Sequence, residues 1–289
     1  MKHTRALHIF RRDLRLADNT ALLHALHNST EVIPCFILDP RQVSDKNNYR
    51  SLHAMQFMFA SLRELDEALR RHGSQLYLFY GEAEKVVLDL LQKTTLDISL
   101  VTWNRDYTPF ARTRDESLEK LCKKNDVEAS DHSDALLQEP GDVIKNDGSP
   151  YTVFTPFYKR SLTVPVRAAE KSTPTNYYTK KIQDTKDLSF FDDLLPEKND
   201  QLRVKGGRNE GLRLIRNLSK LTDYKDLRNY PAEEHTSYLS AHHKFGTVSV
   251  RETIEHAEEV FGKGHHFISE VYWRDFFTHI AHHFPRVFG

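Results

Sequence analysis

No glycine precedes Gly73, and only 11 occur in the 289 residues. A dinucleotide fingerprint after the first strand is thereby excluded, because it needs glycine for the tight turn and the close approach to pyrophosphate. Cysteine is scarcer still: Cys35 and Cys122 stand in no metal-ligand or redox spacing. This excludes a disulfide framework, fits a reducing compartment, and marks Cys35, inside an apolar run, as an expected buried thiol. Neither sign of charge is in excess, with 41 Lys and Arg against 41 Asp and Glu. A polyanion partner must then be met by a local patch, not by the net field. No apolar run could span a membrane, and the opening MKHTRALHIFRRD lacks the apolar stretch of a secretory signal. Tryptophan occurs twice, at Trp103 and Trp273. What is present suffices for a sizeable core: 39% of residues are apolar and 11% aromatic.

The first 130 residues alternate regularly. Apolar runs at 6–10, 32–38, 75–80 and 98–103 read as strands. Between them lie helical patterns at 20–27, with Asp18 as N-cap, and at 50–72, where Met55, Phe59, Leu62, Leu65 and Leu69 recur at spacings of three and four and Gly73 ends the run. Two more helices are expected at 82–92 and 110–125. Strand–helix alternation predicts a doubly wound α/β parallel sheet with a ligand crevice at the carboxyl ends of the strands. From residue 130 to about 200 six prolines and polar stretches such as EKSTPTNYYTKK break the pattern, which reads as an irregular connector on the surface of both halves. SPYTVFTPFYKR (149–160) is its aromatic, packed exception. Beyond residue 201 the chain reads as helical, at 207–218, 249–261 and 266–283. The expected division is an α/β domain at 1–130, a connector at 131–200 and a helical part at 201–289.

Three stretches carry candidate chemistry. FRRDLRLADNTAL (10–22) sets Arg11, Arg12, Asp13 and Arg15 straight after a strand. An ion-pair network pinning the strand end is the favoured reading, and the edge of an anion site the second. TSYLSAHHKFGTVSVRE (236–252) offers the hydroxyls of Thr236, Ser237 and Ser240. They suit a phosphate at a helix start, or plain helix capping. In FISEVYWRDFFTHI (267–280), Glu270, Trp273 and Arg274 share a helical face with Phe267 one turn before. That face fits a flat heteroaromatic ligand, or equally a core helix with an i,i+4 Glu270–Arg274 pair. His279, His282 and His283 lack a Cys or carboxylate to complete a metal set and are expected at the surface or against a partner. Residues 201–220 carry six Lys and Arg against one Glu, a surplus able to meet phosphates.

These three motifs, together with TWNRDYTPFARTRDE (102–116) and YTVFTPFYKR (151–160), resemble in content and order those of the DNA photolyase/cryptochrome family. The nearest look is to cyclobutane pyrimidine dimer photolyases of the microbial type. The resemblance implies an α/β antenna domain followed by a helical FAD-binding domain. It implies that Tyr224, Thr236, Ser237, Leu239 and Ser240 hold FAD, mostly at its phosphates. Phe267 stands where the family usually has a tryptophan near the cofactor. Glu270 matches the acid that hydrogen-bonds the flipped dimer and also lies at the cofactor. Trp273 matches the indole that packs against the two pyrimidines, and Arg274 and Arg228 lie near FAD and DNA phosphates. The implied function is light-driven repair of cyclobutane dimers by electron transfer from excited reduced FAD, a carbon–carbon lyase reaction on damaged DNA. The alternative is a cryptochrome-type blue-light photoreceptor that signals by partner binding.

The same resemblance implies a monomer of the cytoplasm, or of a eukaryotic nucleus, with no membrane role. Phe110 and Ala111 replace the Asn–Glu pair of folate-antenna members. A second chromophore is therefore expected to be a deazaflavin or a flavin, if one is present, rather than a folate. Members of the family continue for well over a hundred residues beyond the match to Gly289. The chain is thus expected to be truncated, short of one wall of the flavin pocket and of the tryptophan relay, and to hold FAD weakly by itself.

Overall fold

The computed structural model describes residues 2–170 and 174–288. Five strands form one parallel sheet: β1 (His3–Phe10), β2 (Ser29–Leu38), β3 (Tyr77–Tyr80), β4 (Ile98–Asn104) and β5 (Glu128–His132), in the order β3-β2-β1-β4-β5. Each strand is parallel to its neighbours. The four strands expected from apolar runs are all present. β5 has no such run because it is an edge strand with no fully buried residue, so nothing in Glu128–His132 had to be apolar.

Helices cover both faces of the sheet. On one side, α1 (Thr20–Asn28) and α3 (Leu52–Arg70) bury Leu22, Ala25, Leu26, Phe59, Leu62 and Leu69 against Phe10, Val32 and Leu78. On the other, α4 (Ala83–Gln92) and α5 (Pro109–Lys124) cover Leu7, Ile33, Cys35 and Trp103. The short α2 (Pro40–Val43) follows β2. The cap of α1 is Asn19, whose side chain accepts from Leu22 N, and not Asp18. Asp18 instead adopts left-handed backbone at φ 50° and gives its carboxylate to Ser249, Arg251 and Arg167. Cys35 is buried as expected, and burial pushes its thiol far up.

The connector is held by backbone pairing. Helix α6 (Phe154–Ser161) packs Phe157 into a small aromatic core. Further on, Val32 N donates to Asn176 O (2.9 Å), Tyr178 N to Val32 O (2.7 Å) and Lys186 N to Leu78 O (2.7 Å). Tyr177 and Phe191 join one core, Tyr178 and Ile182 the other, and α7 (Phe190–Leu194) closes the segment. The helical part comprises α8 (Arg208–Arg216), α9 (Tyr224–Leu227), α10 (Ser240–Phe245), α11 (Val250–Phe261) and α12 (His266–His283). Ser249 and Glu252 form a complete capping box on α11.

The charged turn after β1 joins the two halves. Asp13 is buried, accepting from Arg11 N (2.6 Å), Asn104 Nδ2 (2.6 Å) and Asn19 Nδ2 (3.1 Å). Arg11 pairs with Asp115 (2.7 Å) and lies over the Trp103 ring. Arg15 pairs with Asp134 (2.7 Å), Arg251 reaches both Asp134 (2.8 Å) and Asp18 (2.8 Å), and Ser249 Oγ donates to Asp18. Burial alone would raise the Asp134 pKa, but the two guanidiniums hold it well below the carboxylate range. Leu14 N donates to Phe245 O (3.0 Å) and Arg15 Nη1 to Gly246 O (3.1 Å). Gly246 ends α10 at φ 60°, where a Cβ would run into the Arg12 carbonyl and the Asp13 backbone. The structural role expected for this stretch therefore holds for Asp13, Arg11 and Arg15.

Candidate functional site

Two cavities open at the carboxyl ends of the strands, where the sheet topology places a crevice. The first, about 230 Å³, lies over the ends of β1 and β2 and is lined by Phe10, Arg11, Arg12, Leu38, Asp39 and Met55 among others. The second, about 560 Å³, lies where the strand order reverses between β1 and β4, with Arg12, Arg105, Tyr107, Lys244, Arg274 and Phe277 in its wall. Arg12 borders both, and its side chain is 47% exposed. It pairs with Asp106 at 3.4 Å and is the most exposed cation of the opening turn.

A third cavity, about 430 Å³, lies on the helical part between α8 and the loop before α10. Thr236 and Ser237 line it, with Arg203, Arg213, Lys220, His235 and Tyr238. Leu239 is buried beneath the loop among Leu214, Leu218 and Val250. Ser240 begins α10 and is exposed.

A second group gathers on α12 and α9. Glu270 pairs with Arg228 (2.7 Å) and His266 (3.3 Å), and Tyr224 packs edge-on against Phe267 at 5.4 Å between centroids. Burial, then the charge of Glu270, raises the Tyr224 pKa. The i,i+4 Glu270–Arg274 pair does not form, because Arg228 and His266 engage the carboxylate. Beside the group lies an open cleft lined by Tyr158, Lys225, His265, His266 and Ser269. Trp273 is half-buried and stacks on Phe154 at 3.7 Å with planes 9° apart.

Arg274 goes elsewhere. It donates to Ala135 O and to His243 O (3.2 Å), and it lines the second cavity, sharing none with Thr236 and Ser237. Burial lowers its pKa. Of the residues expected at one site, Tyr224, Arg228, Phe267 and Glu270 come together, Thr236 and Ser237 share the third cavity, and Trp273 and Arg274 point to other neighbours. Sequence reasoning missed Phe154 as the partner of Trp273 and Arg203 as a wall of the third cavity. The aromatic density of 149–160 hinted at the first, and the basic surplus of 201–220 at the second, though it pointed to DNA and not to this cavity.

The histidines at the end of α12 need correction. His279 is buried, its ring nitrogens 3.2 Å from the carbonyls of Pro140 and Tyr151, and His283 Nε2 is 3.2 Å from Pro140 O. They tie α12 to the connector; His279 is not a surface group, while His282 and His283 stay part-exposed. Among the described residues no group of three His, Cys, Asp or Glu could hold a metal, and no helix is long and apolar enough to cross a membrane.

This arrangement has close relatives. A deoxyribodipyrimidine photo-lyase of Synechococcus sp. is 29% identical, over 95% of this chain and 60% of its own length. Cryptochrome-1 of Aedes aegypti is 26% identical, over 96% of this chain and 58% of its own. An archaeal photolyase from Sulfolobus tokodaii, solved with two FAD molecules, superposes with a TM-score of 0.84 at 38% identity, covering 99% of this chain and 61% of that one. The chain thus spans about 60% of the length of the relatives it matches. The family model for DNA photolyase matches residues 6–175, which take in the sheet, the charged turn and the connector as far as residue 175. On that match, and on a fold shared from end to end, the chain belongs to the DNA photolyase family.

Proposed function

We propose that this chain provides the antenna domain and the first part of the flavin-binding domain of an enzyme that splits cyclobutane pyrimidine dimers in DNA with light. The observation that carries this reading is the Arg228–Glu270 pair beside Tyr224, tied through His266 to the wall of an open cleft. A carboxylate aimed by Arg228 and His266 beside an open cleft suits the hydrogen-bonding edge of a flipped base better than a signalling surface.

The residues of the third cavity fit the diphosphate end of FAD. Thr236 and Ser237 supply hydroxyls, and Arg203, Arg213 and Lys220 outnumber Glu210 and Glu234 in the wall. Tyr224, Phe267 and Glu270 would hold the rest of the cofactor. When bound, FAD would supply the light-driven electron chemistry that the side chains cannot. The first cavity suits a second flat chromophore, with Arg11 and Arg12 on its rim and Phe110 and Ala111 in place of a folate-binding pair.

The chain's own part is binding and orientation. Extruding a lesion costs a few kcal/mol, less than for a paired base. Stacking on Trp273 offsets it by about 1–3 kcal/mol per base. Phe154 fixes the indole plane in advance, which limits the ordering cost on binding. Glu270, aimed by Arg228 and His266, accepts hydrogen bonds from the pyrimidine edge. Of the basic run at 201–220, the exposed Lys205 and Arg216, which the third cavity does not use, are left to meet DNA phosphates. The test is light-dependent loss of dimers from an irradiated oligonucleotide by the full-length protein with reduced flavin. Absence of repair would favour the cryptochrome reading.

A further inference from the structure

The loop over the third cavity has an unusual backbone. Glu234 and Tyr238 both occupy the left-handed region, at φ 54° and 55°, without being glycine. Such backbone persists only where its surroundings hold it. One side chain touches both residues: Arg203 Nη2 lies 2.8 Å from Glu234 Oε2, and its guanidinium sits 4.6 Å from the Tyr238 ring centroid. Between them stand His235, Thr236 and Ser237, which line the cavity together with Arg203. Arg213, the other arginine there, is engaged by both oxygens of Glu210 (2.6 and 2.8 Å).

The Arg203–Glu234 pair is open to water, its side chains 51% and 66% exposed. An ion pair so exposed holds its partners weakly. A diphosphate offers the same guanidinium a two-pronged, charge-assisted contact and wins the exchange. The Tyr238 ring meanwhile keeps the guanidinium over the cavity by cation–π attraction.

We propose that Arg203 is an exchangeable clasp on the 234–238 loop: Glu234 holds it in the empty site and yields it to the cofactor's diphosphate, so that Glu234 competes with the ligand and tunes its affinity. This rests on the flavin reading of the third cavity. It adds a charged ligand that the hydroxyl motif did not disclose and gives a role to one of the two acids in the cavity wall.

The experiment is calorimetric titration of the chain with FAD, ADP and adenosine, for wild type, Arg203→Ala, Arg203→Lys and Glu234→Gln. Arg203→Ala should weaken FAD and ADP about tenfold, the size of one lost charge-assisted contact. Adenosine, which has no phosphate, should be unaffected. Arg203→Lys should fall between, keeping the charge but not the fork. Glu234→Gln should tighten FAD and ADP several-fold. If Arg203 merely braced the loop, breaking the pair from either side would weaken binding, so losses of the same sign in Arg203→Ala and Glu234→Gln overturn the clasp, as does no change in either. Wild type that binds FAD and ADP alike while the variants fail this pattern leaves the flavin site standing and removes the clasp. Wild type that binds neither at millimolar ligand removes both.

Discussion

Two arginine–carboxylate clusters in this molecule use the same chemistry at opposite exposures. Arg15, Asp18, Asp134 and Arg251 are sealed between the sheet and the helices, each side chain no more than 5% exposed. Arg228 and Glu270 lie 27% and 26% exposed, beside a cleft whose rim carries their partner His266. The sealed cluster cannot change partners without opening the junction, because a lone buried charge is far costlier than the pair is favourable. The rim cluster can trade protein partners for a ligand at little cost. Burial, not residue type, divides scaffold from site.

The sharpest way to break this comparison is Asp134→Ala. It strips Arg15 and Arg251 of a shared partner inside the junction, and the expected loss is about 3–5 kcal/mol. Urea unfolding measures it; a loss under about 1 kcal/mol would show that water reaches the cluster. Next comes the glycine that docks the charged turn. Gly246→Ala should cost about 1–3 kcal/mol more than Gly262→Ala. Both have positive φ, but only at Gly246 does a Cβ meet neighbouring backbone, whereas none lies within 4 Å at Gly262. Equal losses would mean that the contact between the Arg12–Asp13 turn and α10 relaxes freely.

Asp275 sharpens the comparison through pH. It accepts from Leu137 N (3.0 Å) and Gln138 N (3.2 Å), yet burial pushes its pKa up from 3.8 to about 7. The folded state thus keeps a proton that the unfolded state releases near 3.8. Its contribution is full below that pH and is lost as pH rises through about 7. The urea midpoint should fall between pH 5 and pH 8, and Asp275→Asn should flatten that fall; an unchanged slope in the variant would assign it to other groups. The smallest stability effect belongs to the rim. Glu270→Gln should change stability by less than about 1 kcal/mol while abolishing the preference for dimer-containing over intact DNA in a gel-shift titration. Retained preference would remove Glu270 from lesion recognition.

The legible parts were those with a periodic burial signal. Met55, Phe59, Leu62, Leu65 and Leu69 announced α3, and four apolar runs announced four strands, because a helix stripe or a doubly covered strand must be apolar. β5 carries no such constraint and was silent. Asp18 looked like a cap because caps are read from residue type just before a helix. Its carboxylate was instead claimed by Arg251, 233 positions away. His279 looked like a surface group because polar residues on a helix usually are, yet two carbonyls from the connector bury it. In the site, the motifs marked Glu270 and Trp273, but not that Arg228 and His266 would aim the acid or that Phe154 would hold the indole.

By itself the sequence determined the α/β alternation, the absence of a glycine-rich nucleotide turn, and the run of motifs from the charged turn to α12. These depend on neighbours in the chain, where spacing and side-chain type act directly. Tertiary structure alone decided which charges became scaffold and which stayed open. Arg11 and Arg12 are adjacent in sequence and line the same two cavities, yet the Arg11 side chain, held by Asp115 and Trp103, is 8% exposed while that of Arg12 is 47% exposed. The energy of a charge depends on its burial and partners, and for these two arginines both are set by strands and helices about a hundred residues or more away.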